Sequence, residues 1–322
     1  MSFKDIKGHA RTIERLKGYR KSGTLAGAYL FSGPEGVGKA LAARAFAKSV
    51  NCLEAGVDSC DRCISCKRID NAQHPDVYFI EPSEKGIIKI EYIRELKKRI
   101  ALKPYEAKFK VFIINEAQRM NAEAQNALLK VLEEPPAHSL IILVSSKPAL
   151  LFGTIISRCQ VVKFSPLTRD CLKSVLQRDY RLDSVLAHFL AYSCEGRIGS
   201  ALNLKDRDAL GEKNAVIDAF DLPRRPPFDT LSIADRSQAR RHLNTLSLWF
   251  RDIYLAKSGI EHSQIINIDR KAELLKLPDR YSWDELDEIL NSISDSILYL
   301  EQNINLKLLL SNLQAQLWKA RS

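Results

Sequence analysis

The sequence predicts an α/β domain built on a parallel sheet, followed by two all-helical domains, and three observations carry that prediction. Short continuous runs of Val, Ile, Leu and Phe alternate with helical segments over the first half of the chain. One such run ends in the glycine-rich stretch Gly33-Pro34-Glu35-Gly36-Val37-Gly38-Lys39, and strand-like runs cease after Pro166. Continuous apolar runs separated by helices are the signature of a sheet covered on both faces, because neither side of such a strand meets water.

Tyr29-Leu30-Phe31-Ser32 reads as the first strand, and Leu41 to Val50 then alternates apolar and basic residues at helical spacing. That order of strand, loop and helix is what a phosphate-binding loop requires. Val77 to Ile80, Lys110 to Ile114 and Ile141 to Val144 supply three further strands. Between the second and third, Ile93, Leu96 and Ile100 recur at helical spacing until Pro104 ends the helix. Asn121 is the N-cap candidate for a helix through Leu128, Leu129 and Leu132, which Pro135-Pro136 stops. Leu172 to Leu202 reads as short helices, and Leu222 to Phe228, with its prolines and arginines, as a linker. From Ser237 onward the pattern is wholly helical. Leu286, Leu290, Ile293, Ile297, Leu300 and Ile304 hold one apolar stripe that Leu308 to Leu317 extends. The periodicity fits packing against other chains and packing on itself equally well. The expected domains are residues 1–165, 166–220 and 221–322.

A chain of 322 residues has room for two or three domains, each with its own core. Hydrophobic content of 45% with 27% charged residues reads as soluble and globular, and no stretch approaches the roughly 20 apolar residues of a membrane span. Met1 to Arg20 mixes charges throughout and lacks the apolar core of a signal peptide. The expected location is the cytoplasm. Lys plus Arg at 49 against Asp plus Glu at 39 gives a net charge of +10, which favours work near a polyanion such as DNA. The densest basic run, Arg94 to Lys110, fits the wet face of a helix and its following loop as well.

Seven cysteines in a chain of cytosolic character argue against disulfides and for a metal or chance. Four of them form Cys52-x7-Cys60-x2-Cys63-x2-Cys66. Tetrahedral Zn²⁺ takes four soft ligands, and a C-x2-C step brings two thiolates of one tight turn to the same ion. An iron–sulfur cluster also uses four thiolates, but this spacing matches neither common ferredoxin pattern. With every position filled by protein the ion is structural, pinning a loop inserted after the phosphate-loop helix. Cys159, Cys171 and Cys194 read as small apolar residues.

In a working phosphate loop the backbone N–H groups surround phosphate oxygens, the Lys reaches the β and γ phosphates, and a following Ser or Thr holds Mg²⁺. Gly33, Gly36 and Gly38 keep the loop geometry and Lys39 keeps the charge, but Ala40 has no oxygen to offer. A nucleotide hydrolase also places an Asp for Mg²⁺ and a Glu for the attacking water at the end of a later strand. Here that strand ends Ile113-Ile114-Asn115-Glu116-Ala117, so neutral Asn115 stands at the metal position while Glu116 remains. Two metal-supporting groups are replaced at separate places, and any ATP or ADP held at Gly33 to Ala40 is expected to stay unhydrolysed. Ser157-Arg158-Cys159 is the third feature, and its Arg by itself reads as a surface charge.

With these motifs and Asn126-Ala127-Leu128-Leu129-Lys130-Val131-Leu132-Glu133-Glu134-Pro135-Pro136 in this order, the chain closely resembles the clamp-loader ATPase subunits of bacterial DNA polymerase III, which carry the AAA+ fold. The resemblance covers about the first two hundred residues strongly, including the four-cysteine zinc module, and continues more weakly into Asn303-Ile304-Asn305-Leu306-Lys307-Leu308, which is similar to the last helices of the family's oligomerising collar. It implies an AAA+ domain with a zinc insertion, a small helical lid and a helical collar. ATP-hydrolysing gamma/tau subunits carry Thr at position 40, Asp at 115 and an Arg near position 199. This chain has Ala40, Asn115 and Gly199, with Arg197 two positions away, and no long extension after the collar. The resemblance therefore implies the hydrolysis-incompetent subunit type, with a gamma/tau-type ATPase as the alternative. It also implies that Arg158 acts in trans in a neighbouring ATPase site, beside gamma/tau and delta subunits, during loading of the sliding clamp onto primed DNA. A zinc-dependent DNA-binding module with a vestigial loop is the rival from another class.

Overall fold

In the computed structural model the strands β1 (Ala28–Ser32), β2 (Val77–Ile80), β3 (Lys110–Ile114), β4 (Ser139–Ser145) and β5 (Gln160–Lys163) form one sheet in the order β2-β3-β4-β1-β5. All four pairings are parallel, with Ala28 opposite Ile141, Leu30 opposite Val161 and Phe112 opposite Ile141. The structure describes residues 1–54, 56–221, 233, 235–259, 264–302 and 304–319. The linker expected at 222–228 and Asn303 lie outside the described residues.

The chain divides into two compact units, Met1–Leu172 with Gly196–Ser200, and Lys173–Glu195 with Ala201–Ser322. In the first, strand periodicity of two sends alternate side chains to opposite faces, and both faces are buried. Tyr29, Phe31, Val111, Ile113 and Ile142 pack with Ile13 and Leu16 of α1 (Ala10–Ser22) and Ala42, Phe46 and Val50 of α2 (Lys39–Asn51). Leu30, Phe112, Ile114, Ile141 and Leu143 pack with Ile93, Leu96 and Ile100 of α4 (Ile90–Ile100) and Leu128 and Leu132 of α5 (Ala122–Glu133). The short α3 (Ile64–Asp70) lies between α2 and β2 in sequence, and α6 (Gly153–Ile156) between β4 and β5. Asn121 caps α5 as expected, its Oδ1 accepting from the Ala124 N–H at 2.9 Å.

The second unit is helical among the described residues. It contains α8 (Ser184–Ser193), α10 (Ala209–Asp221), α11 (Arg236–Lys257), α12 (Lys271–Leu274), α13 (Trp283–Glu301) and α14 (Leu306–Lys319); α7 (Arg169–Tyr180) and α9 (Ile198–Lys205) each begin in the first unit. The apolar stripe is used internally: Leu286, Ile293, Leu300 and Leu313 are buried with Leu246, Phe250 and Ile253 of α11. The stripe is not one helix. α13 ends at Glu301, Ile304 falls beyond it, and Asn305 starts a new helix by accepting the Lys307 and Leu308 N–H groups on its Oδ1. Leu308 leaves the stripe altogether, at 67% exposure.

Candidate functional site

The C-terminal ends of β1 and β3 lie one strand apart, with β4 between them. Segments leaving the carboxyl ends of parallel strands are where open α/β sheets hold ligands. The loop after β1 is the glycine-rich stretch. Gly33 sits at φ 150°, and a Cβ there would stand 2.1 Å from the Phe164 carbonyl oxygen, so no other residue fits without displacing β5 and its continuation. Gly38 caps α2 and Lys39 is its first residue. A cavity of about 300 Å³ opens over this loop, lined by Gly36, Gly38, Lys39, Ala40, Asn115 and Glu116, with Ser146 and Gly199 completing its wall. The structure thus brings the two degenerate motifs to one place.

The side chains of Lys39, Asn115 and Glu116 there each have an internal partner. The Lys39 ammonium, only 6% exposed, donates to the carbonyls of Gly33 at 2.6 Å and Pro34 at 2.5 Å. Burial lowers its pKa to about 8 against the opposing pull of Glu35 and Glu116. Asn115 donates through Nδ2 to Glu81 at 2.9 Å. Glu116 adopts a left-handed backbone at φ 45° and pairs with Arg119. The Gly36 carbonyl accepts from the Gly199 N–H at 2.7 Å. Ala40 lines the same space and presents no oxygen to it.

One wall residue escaped the sequence reading. Ser146 follows β4 and exchanges hydrogen bonds with Gln118 at 3.1 and 3.3 Å. Its only sequence signal is a polar pair, Ser145-Ser146, at the end of an apolar strand. Gly199 stands in the cavity wall because the segment Gly196–Ser200 returns to the first unit.

Arg158 follows α6 and is not among the residues lining this cavity. Its guanidinium donates to the Thr154 carbonyl at 3.0 Å and pairs with Glu133 at 2.9 Å, with 35% of the side chain exposed. Half-exposed pairs of this kind are weakly held. Cys159 beside it is buried, its thiol pushed up to about 12 by that burial.

The four clustered cysteines meet as the spacing predicts. Cys52 caps the end of α2, Cys63 caps the start of α3, and Cys66 lies in the first turn of α3. Their Sγ atoms all lie within 4.8 Å of one another, and Cys60 and Cys66 are 4.0 Å apart. Tetrahedral zinc with Zn–S bonds of about 2.3 Å sets sulfurs about 3.8 Å apart. Backbone N–H groups of Cys60, Cys63 and Cys66 each point at the preceding cysteine's sulfur, at 3.3 to 3.4 Å, which suits thiolates carrying negative charge. The residues therefore fit a four-thiolate metal ion.

The family model described as "DNA polymerase III, delta subunit" matches residues 8–168, and "DNA polymerase III, delta subunit, C terminal" matches residues 207–317. The chain belongs to the DNA polymerase III delta-subunit family. Within it the chain is similar to DNA polymerase III subunit delta' of Bacillus subtilis, 32% identical over an alignment of 266 positions that covers 79% of this chain and 80% of that one. It is also similar to DNA polymerase III subunit tau of the same organism, 35% identical over 211 residues, but that match takes in 64% of this chain and only 37% of tau. The likeness to delta' thus runs through most of both proteins. A gamma subunit-related protein of Thermotoga maritima shares the fold at a TM-score of 0.52 and 19% identity, over 96% of this chain and all of that one. The clamp-loader AAA+ fold expected from the motifs is the fold found.

Proposed function

We propose that the chain serves as the delta-prime type of clamp-loader subunit, which does not itself hydrolyse ATP, acts as a stator, and lends Arg158 to the nucleotide site of a neighbouring gamma/tau subunit. The observation that supports this reading is the state of the cavity above β1 and β3. Gly33, Gly36, Gly38 and Lys39 are kept, while the two positions that would support Mg²⁺ are Ala40 and Asn115. A nucleotide, when bound, would rest on the N–H groups of the loop and on Lys39, with no side-chain oxygen from Ala40 and only the neutral amide oxygen of Asn115 to fix its metal. The reading takes residues 1–165 as the nucleotide-fold domain, 166–220 as the lid and 221–322 as the collar. Its partners are gamma/tau and delta subunits, with the sliding clamp and primed DNA reached through the complex, in the cytoplasm. No helix among the described residues is long and apolar enough to cross a membrane. Zn²⁺ is the proposed ion at Cys52, Cys60, Cys63 and Cys66, where it cross-links the segment after α2.

Arg158 suits the donor's role because its present partners are a carbonyl and a half-exposed Glu133, both readily exchanged. An arginine finger stabilises charge on transferring phosphoryl oxygens and is worth roughly 10³- to 10⁵-fold at the site it serves. The first experiment is multiple-turnover ATP hydrolysis by the purified chain with Mg²⁺ and primed DNA, with Lys39→Ala as control. Absence of turnover is expected; turnover abolished by Lys39→Ala makes the chain a gamma/tau-type motor instead. The second is ATPase of a complex reconstituted with gamma/tau and delta. An Arg158→Ala chain that assembles normally and leaves partner ATPase unchanged sinks the finger assignment.

A further inference from the structure

The second unit holds a cavity that none of these roles uses. It has a volume of about 110 Å³ and lies among α8, α9, α10 and α11, with Phe189, Leu204, Val216 and Leu248 as its apolar wall. Arg241 and His242, successive residues of α11, also line it. Each carries a buried nitrogen, Nε of Arg241 and Nδ1 of His242, that has no hydrogen-bond partner among the described residues. His242 is only 8% exposed. Leaving a buried donor unmatched costs about 1–3 kcal/mol, and folded proteins match the great majority of such groups.

Lys213 makes the contrast within the same cavity. Its side chain is buried as well, yet its ammonium donates to both oxygens of Asp269 at 2.6 Å and lies 5.2 Å from the centre of the Phe189 ring. The fold thus supplies an acceptor for one cation of the cavity and leaves the neighbouring donors open. Charge and shape then select what closes them. Glu212, an exposed residue, also lines the cavity, so a dianion such as phosphate meets more repulsion there than a single negative charge whose oxygens accept from the two unmatched nitrogens. The apolar wall suits a hydrocarbon stem, and Ser193, Asn244 and Thr245 also line the space. At about 30 Å³ per water the space holds three or four waters, or one ligand of similar size.

We infer that this cavity binds a short-chain monocarboxylate, its carboxylate accepting from Arg241 Nε and the Nδ1–H of His242 and its stem lying against Phe189, Leu204, Val216 and Leu248. Burial and the nearby Arg241 charge hold the His242 imidazole below its usual 6.5, with Glu212 opposing them, so the ring is neutral near pH 7 and can act as a single donor.

The test titrates butanoate, n-butanol and inorganic phosphate separately into the full chain, followed by calorimetry and by the ¹⁵N signals of the His242 ring. Butanoate is expected to saturate with a Kd on the order of 1 mM and to move the His242 signals. The alcohol lacks the anion and phosphate lacks the stem, so each is expected to bind at least about tenfold more weakly. Arg241→Met is expected to weaken butanoate by about tenfold or more, and to raise the melting temperature of the ligand-free protein by removing a buried unmatched donor. Lack of saturation by butanoate, an equal response to n-butanol or phosphate, or butanoate binding unchanged in Arg241→Met overturns the proposal. The ring signals are read on the unaltered chain, so the proposal stays exposed to refutation even if the variant misfolds.

Discussion

Lys48 is the most consequential buried charge in the first unit, and replacing it with Met isolates what it does. Its side chain is wholly buried in α2, and its ammonium donates to Asp61 at 2.5 Å, Asp70 at 2.6 Å and the Met1 carbonyl at 2.8 Å. Asp61 lies between Cys60 and Cys63, and Asp70 ends α3. One cation therefore ties the helix that begins at the phosphate loop to the middle of the cysteine segment and to the end of the helix that follows it. Met keeps the length and packing of the stem but takes the ammonium from the two carboxylates, leaving them the Met1 ammonium at 3.4 Å. Breaking a fully buried pair costs about 3–5 kcal/mol. Asp61 and Asp70 are 35% and 30% exposed, so water takes up part of the loss and about 2 kcal/mol is expected. Urea unfolding with saturating zinc measures it.

The pH dependence of that loss gives a second check. Burial works to raise the Asp61 pKa, but Lys48 outweighs it and holds the carboxyl below its usual 3.8. A depressed carboxylate contributes stability above its unfolded pKa and loses it as pH falls through the folded one. For Lys48, burial is outweighed by the two carboxylates and the pKa is raised above 10.5, so its contribution is complete below that value and lost as pH rises through the folded one. The difference between the two proteins should stay flat across neutral pH, shrink on the acid side only below 3.8, and shrink on the alkaline side only above 10.5. A loss under about 0.5 kcal/mol, or one that persists undiminished in strong acid, refutes the reasoning.

Three further outcomes are expected. His9, His74 and His242 all have pKa values lowered from 6.5 chiefly by burial, so below 6.5 the unfolded chain binds more protons; urea-unfolding stability should rise from about pH 5 to 6.5 and then level off, and a flat profile refutes this. Gly199→Ala would set a Cβ 2.9 Å from the Gly36 oxygen and 3.2 Å from its Cα, costing about 1–3 kcal/mol and freeing the Gly196–Ser200 segment to exchange its amide protons faster; unchanged melting and exchange would count against that contact. Cys66→Ser should lose the bound zinc, read as metal content per chain, and cost at least about 2 kcal/mol of stability, whereas full metal retention would mean that the four thiolates do not act as one site.

How much of this was legible in the sequence follows from where each signal resides. β1 to β4 were readable because burial on both faces writes a strand as a continuous apolar run. Ser139 and Ser145 extend β4 through backbone pairing, which their side chains do not announce. β5 went unread because it is an edge strand with only Val161 and Val162 as apolar residues, and α1 because its buried apolar residues are just Ile13 and Leu16. In the site, the glycine loop and the four cysteines were legible because their geometry is set by local spacing. The pairing of Glu116 with Arg119 and the bond from Gly199 to Gly36 depend on turns and on chain return, for which periodicity carries no information.

Those unread contacts decide how far a simple reversal of the sequence changes would go. Lys39 is engaged by Gly33 and Pro34, Glu116 by Arg119, and Gly36 by Gly199. A nucleotide must displace the first of these to reach the ammonium, and a metal-bound water must compete with the second for the carboxylate. The buried bonds from Lys39 contribute about 1.5–3 kcal/mol each, whereas the half-exposed Glu116–Arg119 pair is worth about 1 kcal/mol or less, so it is chiefly the Lys39 bonds that oppose a ligand, by an amount comparable to what one restored metal ligand returns. Ala40→Thr with Asn115→Asp is therefore expected to raise magnesium-dependent ATP affinity by about tenfold, measured by titration with a fluorescent ATP analogue, while leaving turnover undetectable. Adding Gly199→Ala should raise affinity further by loosening the segment over Gly36. Full hydrolysis from the double replacement alone would show that the two altered metal-supporting positions were the whole barrier and that the internal partners of the loop oppose nothing.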